Sequence, residues 1–229
     1  MNSKNEKIVA IIIARGGSKS IPRKNVLPLH GKPLIAWPID LAKSISQIDR
    51  VIVSTDDDEI ANIAKQYGAE VPFKRPAELA EDETPTLPVL EHCIRYLENE
   101  ENYFPDIVLL FYPTSPFLKR ERVEEAIEML ENENYQSVVS VTEDYKHYWI
   151  KNNGNAKRLY PLHPVNRQYA IPAYKEDGAI YFSRRDVIIE KRTLVDESNC
   201  GLLIVKENEH IDIDDPADFA KAEDKRMIA

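Results

Sequence analysis

Cysteine is rare in this chain of 229 residues, and the two that occur, Cys93 and Cys200, stand far apart without a CxxC spacing. This excludes a disulfide framework and favours two reduced thiols in a cytoplasmic protein. The five histidines form no spaced ligand pair, so a zinc site is not expected. No apolar run is long enough to span a membrane, and no small-residue cleavage site follows the polar N-terminus. We therefore expect a soluble protein.

Positive charge is also in the minority, because 30 Lys and Arg face 39 Asp and Glu, which gives a net charge of −9. An acidic surface argues against nucleic acid or an anionic membrane as a partner. The 43% hydrophobic content is sufficient for a sizeable core, and there are no internal repeats or low-complexity linkers. We expect residues 1–229 to form one domain.

Apolar segments typical of strands recur along the chain, and helical patterns lie between the early ones. The strand-like segments are 8–14, 50–54, 107–112, 137–141, 178–182 and 202–205, and the helical ones are 34–46, 57–67, 87–98 and 120–132. This alternation predicts an α/β fold with a mainly parallel sheet and helices on both faces. Gly68 fits a helix C-terminal cap, and Pro38 predicts a kink or a late helix start.

A cationic loop follows the first apolar segment. Its basic residues are Arg15, Lys19, Arg23 and Lys24, and Gly16 and Gly17 let a ligand approach the backbone closely. The glycines match neither GxxxxGK[ST] nor GxGxxG, so a P-loop and a dinucleotide fingerprint are both excluded. Clustered cations after a buried strand are typical of a site for a polyanion such as a nucleoside triphosphate. The alternative is a solvated basic turn.

Three aspartates lie near the C-terminal end, in the run Ile211-Asp-Ile-Asp-Asp-Pro216. On a strand, Asp212 and Asp214 point to one side, and Mg²⁺ favours one or two carboxylates together with substrate phosphates. Asp215 precedes a proline and fits a helix N-cap. The alternative is that all three aspartates simply begin a helix.

Two further acidic stretches receive structural interpretations. The run Ser54-Thr-Asp-Asp-Asp58 resembles a metal site, but acids before a helix usually cap it and favour its dipole. The stretch Glu81-Asp-Glu83 is most simply a solvated acidic surface.

The cationic loop is one of several motifs that occur in a characteristic order. The others are Arg75-Pro-Ala-Glu-Leu-Ala80, Tyr112-Pro-Thr-Ser-Pro116, Asp177-Gly-Ala-Ile-Tyr181 and Ile211-Asp-Ile-Asp214. This ordered set, which spans nearly the whole chain, resembles the CMP-sialic acid synthetase family of cytidylyltransferases. The resemblance implies a Rossmann-like sheet of the nucleotide-diphospho-sugar transferase type, CTP and a nonulosonic acid as substrates, Mg²⁺, and a homodimer.

The resemblance also implies roles for individual residues. It implies catalytic roles for Arg15, Lys24 and Asp214, and magnesium ligation by Asp212 and Asp214. The residues implied for nucleotide binding are Arg15, Gly16, Ser18, Lys19, Lys24, Asn25 and Arg75, with Thr84 or Thr86 as a nearby hydroxyl. Those implied on the sugar side are Tyr112, Arg167 and Tyr181. Arg75 has the alternative of an exposed surface cation, Asn25 that of a turn residue, and Tyr181 that of a core tyrosine.

Residues 143–176 show little periodicity and many rings, among them Tyr145, Tyr148, Trp149, Tyr160, Tyr169 and Tyr174. The resemblance implies that this segment projects and packs on a second subunit as a dimerisation insertion, and aromatic enrichment fits an interface. The alternative is a surface loop.

The chain departs from the family pattern on the sugar side. Tyr112 replaces the glutamine of many sialic acid enzymes, and Lys151 stands one position late after His147. Both differences leave the identity of the acceptor sugar undetermined. Two other functions also remain open: a nucleotidyltransferase of the same fold with another base or acceptor, such as a guanylyltransferase, and a silent nucleotide-sugar sensor. The intact pair Asp212 and Asp214 argues against the sensor.

Overall fold

The computed structural model describes residues 6–160, 169, 171–206 and 211–225. Its central sheet has six strands: β1 (Ile8–Ile13), β4 (Arg50–Ser54), β5 (Ile107–Phe111), β6 (Ser137–Asp144), β9 (Ala173–Arg184) and β10 (Cys200–Ile204). Two short pairs stand outside it, β2 (Pro28–Leu29) with β3 (Lys32–Pro33), and β7 (Trp149–Asn152) with β8 (Asn155–Arg158).

The strand order across the sheet is β10-β6-β9-β5-β1-β4. All neighbours pair in parallel except β9, which runs antiparallel to both β5 and β6. The predicted mainly parallel sheet is therefore confirmed. The direction of β9 was not predictable from its apolar pattern, because a buried strand shows the same pattern in either direction.

Helices cover both faces of the sheet. They are α1 (Ala36–Ser44), α2 (Asp58–Gln66), α3 (Thr86–Glu101), α4 (Arg120–Asn132), α5 (Arg185–Ile189) and α6 (Pro216–Asp224). The late start predicted for the first helix is confirmed, because α1 begins at Ala36 and Pro38 falls in its first turn, where N–H groups have no intrahelical acceptor. Gly68 follows α2 with φ +83°, as a C-terminal cap requires.

The residues of β1 alternate between two hydrophobic clusters. Ile8, Ala10 and Ile12 pack with α1, α2 and α4 on one face. Val9 and Ile11 pack with α3 and α5 on the other. Burial on both faces explains why the segment reads as a continuous apolar run. Its end is therefore rigidly placed between two helical layers.

Both thiols are free, as the sequence predicted. Cys93 lies in the core, where burial raises its pKa to about 12. None of the helices in the described ranges has an apolar stretch long enough to cross a bilayer.

The strands β6 and β9 continue beyond the sheet body as a two-stranded ladder, in which Thr142, Glu143 and Asp144 pair with Lys175, Tyr174 and Ala173 respectively. The hairpin β7–β8 follows, and we call residues 142–160 and 171–176 the arm. Local periodicity did not reveal this regular structure, in which Asn153 (φ +47°) and Gly154 (φ +83°) close a tight hairpin. An Asn-Gly pair is a strong hairpin signal. The arm exposes Tyr148, Trp149, Ile150, Leu159, Ile171 and Tyr174.

Candidate active site

A cavity of about 440 Å³ opens where β1 and β5 end. We call it the main cavity. Its lining includes Arg15, Ser18, Lys19, Lys24, Asn25, Arg75, Thr84, Thr86, Tyr112 and Asp214. Ten residues that the sequence indicated are thus brought to one place, at the carboxyl edge of a parallel sheet where ligands usually bind.

Gly16 shapes the loop after β1 and does not itself line this cavity. Its N–H donates to Asp56 Oδ1 at 3.0 Å. A Cβ added to Gly16 would lie 2.7 Å from Asp57 Oδ2, so no larger residue fits without displacing that carboxylate. The glycine allows the loop to pass close to the start of α2.

Arg23 is directed to α2 and is not among the cavity-lining residues. Its guanidinium donates to Asp57 Oδ2 at 2.6 Å and also pairs with Glu59. Asp57 in turn caps α2 by accepting from Ile60 N at 3.0 Å, which confirms the predicted capping role. The hydrogen bond from Arg23 lowers the pKa of Asp57 to about 2. One of the four loop cations is therefore a tether between loop and helix.

Lys24 and Asn25 are buried and fix the end of the loop. Asn25 Nδ2 donates to Arg15 O at 2.9 Å, and Lys24 Nζ donates to Ile213 O at 2.7 Å. Burial lowers the pKa of Lys24, while Asp214 and Asp212 act in the opposite direction. The ammonium thus lies in the field of both carboxylates and links the loop to the aspartate run.

The aspartate run is extended chain outside the sheet, and the strand expected there is not formed. Ile213 is fully buried and its N–H donates to Thr114 O at 2.9 Å. Asp214 lines the main cavity, whereas Asp212 lines a second one. Asp215 is the N-cap of α6, accepting from Ala217 N at 2.8 Å, as predicted.

The carboxylates of this run fit an Mg²⁺ ion that is shared between the protein and a substrate phosphate. In the part of the chain that is described, no three His, Cys, Asp or Glu side chains form a metal-holding group. Asp212 and Asp214 would supply at most one carboxylate each. Mg²⁺ typically takes one or two carboxylates and completes its octahedron with water and substrate phosphate.

Arg75 is a buried cation, so the alternative of an exposed surface residue is wrong. Its guanidinium donates to Ser54 Oγ at 3.1 Å and also to the Ser54 carbonyl. Burial lowers its pKa to about 10. No carboxylate accepts from it in these bonds, so an anionic ligand at the cavity would gain from its charge.

Both candidate threonines line the main cavity, and they differ in their contacts. Thr84 Oγ1 donates to Glu78 O at 3.1 Å, while Thr86 Oγ1 lies 3.1 Å from the Tyr112 hydroxyl. Thr86 stands at the start of α3, where N–H groups are unpaired and the helix dipole is positive.

The acidic stretch after Arg75 contains a residue that sequence reasoning missed. Asp82 Oδ1 lies 2.9 Å from Arg15 Nη1, and the other oxygen pairs with Lys19. The hydrogen bond from Lys19 lowers the pKa of Asp82. Glu81 and Asp82 both line the main cavity, so the expectation of a purely solvated surface is wrong for them.

A second cavity, of about 340 Å³, lies at the base of the arm. We call it the arm cavity. It is lined by Thr142, Lys175, Glu176, Asp177, Gly178, Tyr181 and Asp212. The Tyr181 hydroxyl donates to Glu176 Oε2 at 2.7 Å, and its ring contacts Tyr112 edge to face at 6.3 Å between centroids. Tyr181 therefore packs against the core and also reaches the cavity. The role on the sugar side and the role as a core tyrosine are thus compatible.

Several arm-cavity residues had not been singled out from the sequence, namely Thr142, Lys175 and Glu176. They belong to the ladder of β6 with β9, whose pairing no local pattern reveals. Arg167 lies in 161–168, outside the described residues.

Comparison with known proteins identifies the family. The profile of the family described as Cytidylyltransferase matches residues 9–212. The chain is 37% identical over 222 residues to CMP-N,N'-diacetyllegionaminic acid synthase of Legionella pneumophila, covering 95% of each chain. It is 32% identical to a pseudaminic acid cytidylyltransferase of Campylobacter jejuni, covering 94% of this chain and 95% of the relative.

The fold also matches a solved structure of CMP:2-keto-3-deoxy-manno-octonic acid synthetase complexed with CTP. The TM-score is 0.71 at 21% identity, covering 96% of this chain and 98% of the other. The motifs, the fold and these relatives agree: the chain belongs to the cytidylyltransferase family, among the synthases of CMP-activated nonulosonic acids.

Proposed function

We propose that this cytidylyltransferase transfers CMP from CTP to the anomeric hydroxyl of a nonulosonic acid, with release of pyrophosphate. The observation that carries the proposal is the junction of the two cavities. Asp214 lines the cationic main cavity, Asp212 lines the arm cavity, and Lys24 is bonded to the carbonyl of Ile213 between them. A nucleotide in one cavity and a sugar in the other would meet at this point.

In the proposed reaction the main cavity binds CTP. Arg15, Lys19 and Lys24 neutralise the triphosphate oxygens and the charge that develops on the leaving pyrophosphate. Fixed cations at such positions are usually worth 10²-fold to 10³-fold in rate, about 3 to 4 kcal/mol each. Arg75, Asn25 and the hydroxyl of Thr84 or Thr86 would orient the nucleoside.

Asp212 and Asp214 would hold Mg²⁺, which would supply Lewis-acid polarisation of the substrate phosphate. Lys24 keeps the two carboxylates close to the triphosphate site through its bond to Ile213 O. The main contribution of the chain is then positioning and charge stabilisation, since an in-line attack by a hydroxyl requires little else.

The arm cavity is proposed as the acceptor site. Lys175 gives it a cation, and Arg167 is proposed as a further ligand for the acceptor carboxylate, because a guanidinium fork fits a carboxylate well. The acceptor is proposed to be of the legionaminic or pseudaminic type. The similarity to a CMP-N,N'-diacetyllegionaminic acid synthase and to a pseudaminic acid cytidylyltransferase supports this. So does Tyr112, which stands where many sialic acid enzymes have a glutamine and whose ring contacts Tyr181 of the arm cavity.

The arm is proposed to pack on a second copy of the chain. Its support is the exposed apolar surface, with Trp149 54% and Ile171 83% exposed. Contiguous exposed apolar side chains usually mark interfaces. Light scattering of the wild type and of Ile171→Asp would test this, and a wild-type monomer would contradict it.

Pyrophosphate release tests the proposed function directly. CTP, UTP, GTP and ATP are each combined with N-acetylneuraminate, a legionaminic acid and a pseudaminic acid. We expect turnover with CTP and the highest kcat/KM with one of the latter two acids. A preference for GTP would favour a guanylyltransferase, binding of CTP without turnover on any acceptor would favour a sensor, and a preference for N-acetylneuraminate would overturn the acceptor assignment.

A further inference from the structure

The two outermost cations of the main cavity are already engaged by a carboxylate of the chain itself. Asp82 bridges Arg15, at 2.9 Å, and Lys19. Both cations line the cavity, and so does Asp82. Its side chain is 36% exposed and that of Lys19 is 78% exposed, so this bridge lies at the solvent-exposed rim of the cavity.

The bridge and a bound polyphosphate compete for the same donors. A triphosphate needs the N–H groups of Arg15 and Lys19 that now donate to Asp82. The triphosphate oxygens would also lie beside the Asp82 carboxylate, which has the same sign of charge. Like charges a few ångströms apart are unfavourable even when partly solvated. Exposed ion pairs are individually weak, so a ligand with several negative charges is able to displace this one.

The segment that carries Asp82 is built to move without disturbing the core. A 3-10 turn, Ala77–Leu79, follows the buried Arg75, and Thr84 Oγ1 bonds back to Glu78 O before α3 begins. Residues 81–83 between these anchors are exposed. A movement of residues 81–83 away from the cavity would expose little buried apolar surface. Segments that open locally usually have this property.

We infer that Asp82 is an internal competitor of the polyphosphate. Its carboxylate holds Arg15 and Lys19 in place, yields them to the triphosphate of the incoming nucleotide, and recaptures them as pyrophosphate leaves. The inference rests on the proposed function of the main cavity. It makes Asp82 a positioning residue that weakens the binding of polyphosphates and so favours the release of pyrophosphate. CMP should be little affected, because its single phosphate need not engage Arg15 and Lys19.

The test measures binding by calorimetry in wild type and in Asp82→Asn, with CTP, inorganic pyrophosphate and CMP as separate probes. The asparagine keeps the size of the side chain and removes its charge. We expect pyrophosphate and CTP to bind about 3-fold to 10-fold more tightly to the variant, the scale of two exposed ion pairs, and CMP to change less than about twofold. Raising the salt concentration should reduce the difference in pyrophosphate and CTP affinity between wild type and Asp82→Asn, because salt screens exposed charges.

Glu83→Gln is the matched control, since it removes the same charge from the same loop at a residue that does not line the cavity. Asp82→Glu keeps the charge and should retain near wild-type affinities. Equal or weaker pyrophosphate binding in Asp82→Asn overturns the inference, as does an equal gain in Glu83→Gln. If wild type binds CTP but Asp82→Asn shows no specific gain in pyrophosphate affinity, the inference fails and the proposed function stands. If wild type binds neither CTP nor pyrophosphate, the proposed function itself fails.

Discussion

The main cavity and the arm cavity are built in different ways. The main cavity depends on side chains locked in the interior: Lys24 is 9%, Asn25 6% and Arg75 5% exposed, and each bonds a backbone oxygen. The arm cavity has no fully buried lining residue: Lys175 and Glu176 are exposed, and the others are half-buried. The main cavity, where we propose that the nucleotide binds, is thus held rigidly by the core. The arm cavity, the proposed acceptor site, belongs partly to a peripheral element that can vary without disturbing the sheet.

The two cavities also differ in charge. The main cavity is lined by four cations, Arg15, Lys19, Lys24 and Arg75, and by three carboxylates, whereas the arm cavity is lined by one lysine and three carboxylates. The four cations suit the triphosphate that we propose for the first cavity. In the second, the carboxylates can accept from sugar hydroxyls, and Lys175 can pair with the carboxylate of the proposed acceptor. Variants in one cavity should therefore affect one substrate, and the following predictions test that separation.

The largest effect is expected at the junction. Asp214→Asn removes the carboxylate that faces the main cavity and should lower kcat by about 10³-fold or more, with weaker activation by Mg²⁺, because transition-state charge loses its counter-ion. Binding of CTP should change far less. Asp215→Ala is the control and should cost only about 1 kcal/mol of helix capping. Turnover that depends on Asp215 and not on Asp214 would reverse the assignment.

The cationic loop should show the next largest effect. Arg15→Ala should lower kcat/KM for CTP by about 10²-fold while the melting temperature changes little. Arg23→Ala removes the same charge from the same loop but at the tether to Asp57, so it should mainly lower stability. Steady-state kinetics and thermal melts of the pair decide this. Equal kinetic losses in both variants would mean that net loop charge matters and position does not.

The arm cavity should respond more modestly and only toward the sugar. Tyr181→Phe removes the hydroxyl that bonds Glu176 and should raise the acceptor KM by about 3-fold to 10-fold, the scale of one hydrogen bond to a charged group. The KM for CTP should stay within about twofold. A matching rise in the KM for CTP would show that the two cavities are not separable.

The smallest effect is one of stability. Asp57→Ala removes the cap of α2 and should lower the free energy of unfolding by about 1 to 2 kcal/mol, whereas Asp58→Ala, at an exposed neighbour, should cost less. The pKa of Asp57 is lowered from 3.8 to about 2 in the fold. Its contribution is therefore complete above about pH 4 and is lost as the pH falls toward 2. Urea titrations of both variants at pH 7 and pH 2.5 measure this.

The sequence was informative where short-range chemistry decides the structure. The continuous apolar run of β1 predicted a buried strand, and Asp215 before Pro216 predicted the cap of α6. The hairpin at Asn153-Gly154 carried its own turn signal, which the surrounding aromatic composition obscured.

Long-range pairings were beyond such reasoning. Asp82 meets Arg15 and Lys19 only because the loops after β1 and before α3 reach the same cavity. The same holds for Lys175 and Asp212, which share the arm cavity although β10 lies between them in the chain. No periodicity or motif encodes these approaches, because they depend on how the sheet is assembled.

The bond from Lys24 to Ile213 joins residues 189 positions apart. During synthesis the ribosome releases β1 and its loop long before the aspartate run exists. The growing chain can therefore assemble most of its sheet while the junction of the two cavities is still missing. An incomplete chain would carry Lys24 without its Ile213 acceptor, so this part of the proposed site forms only after the C-terminal segment has been made.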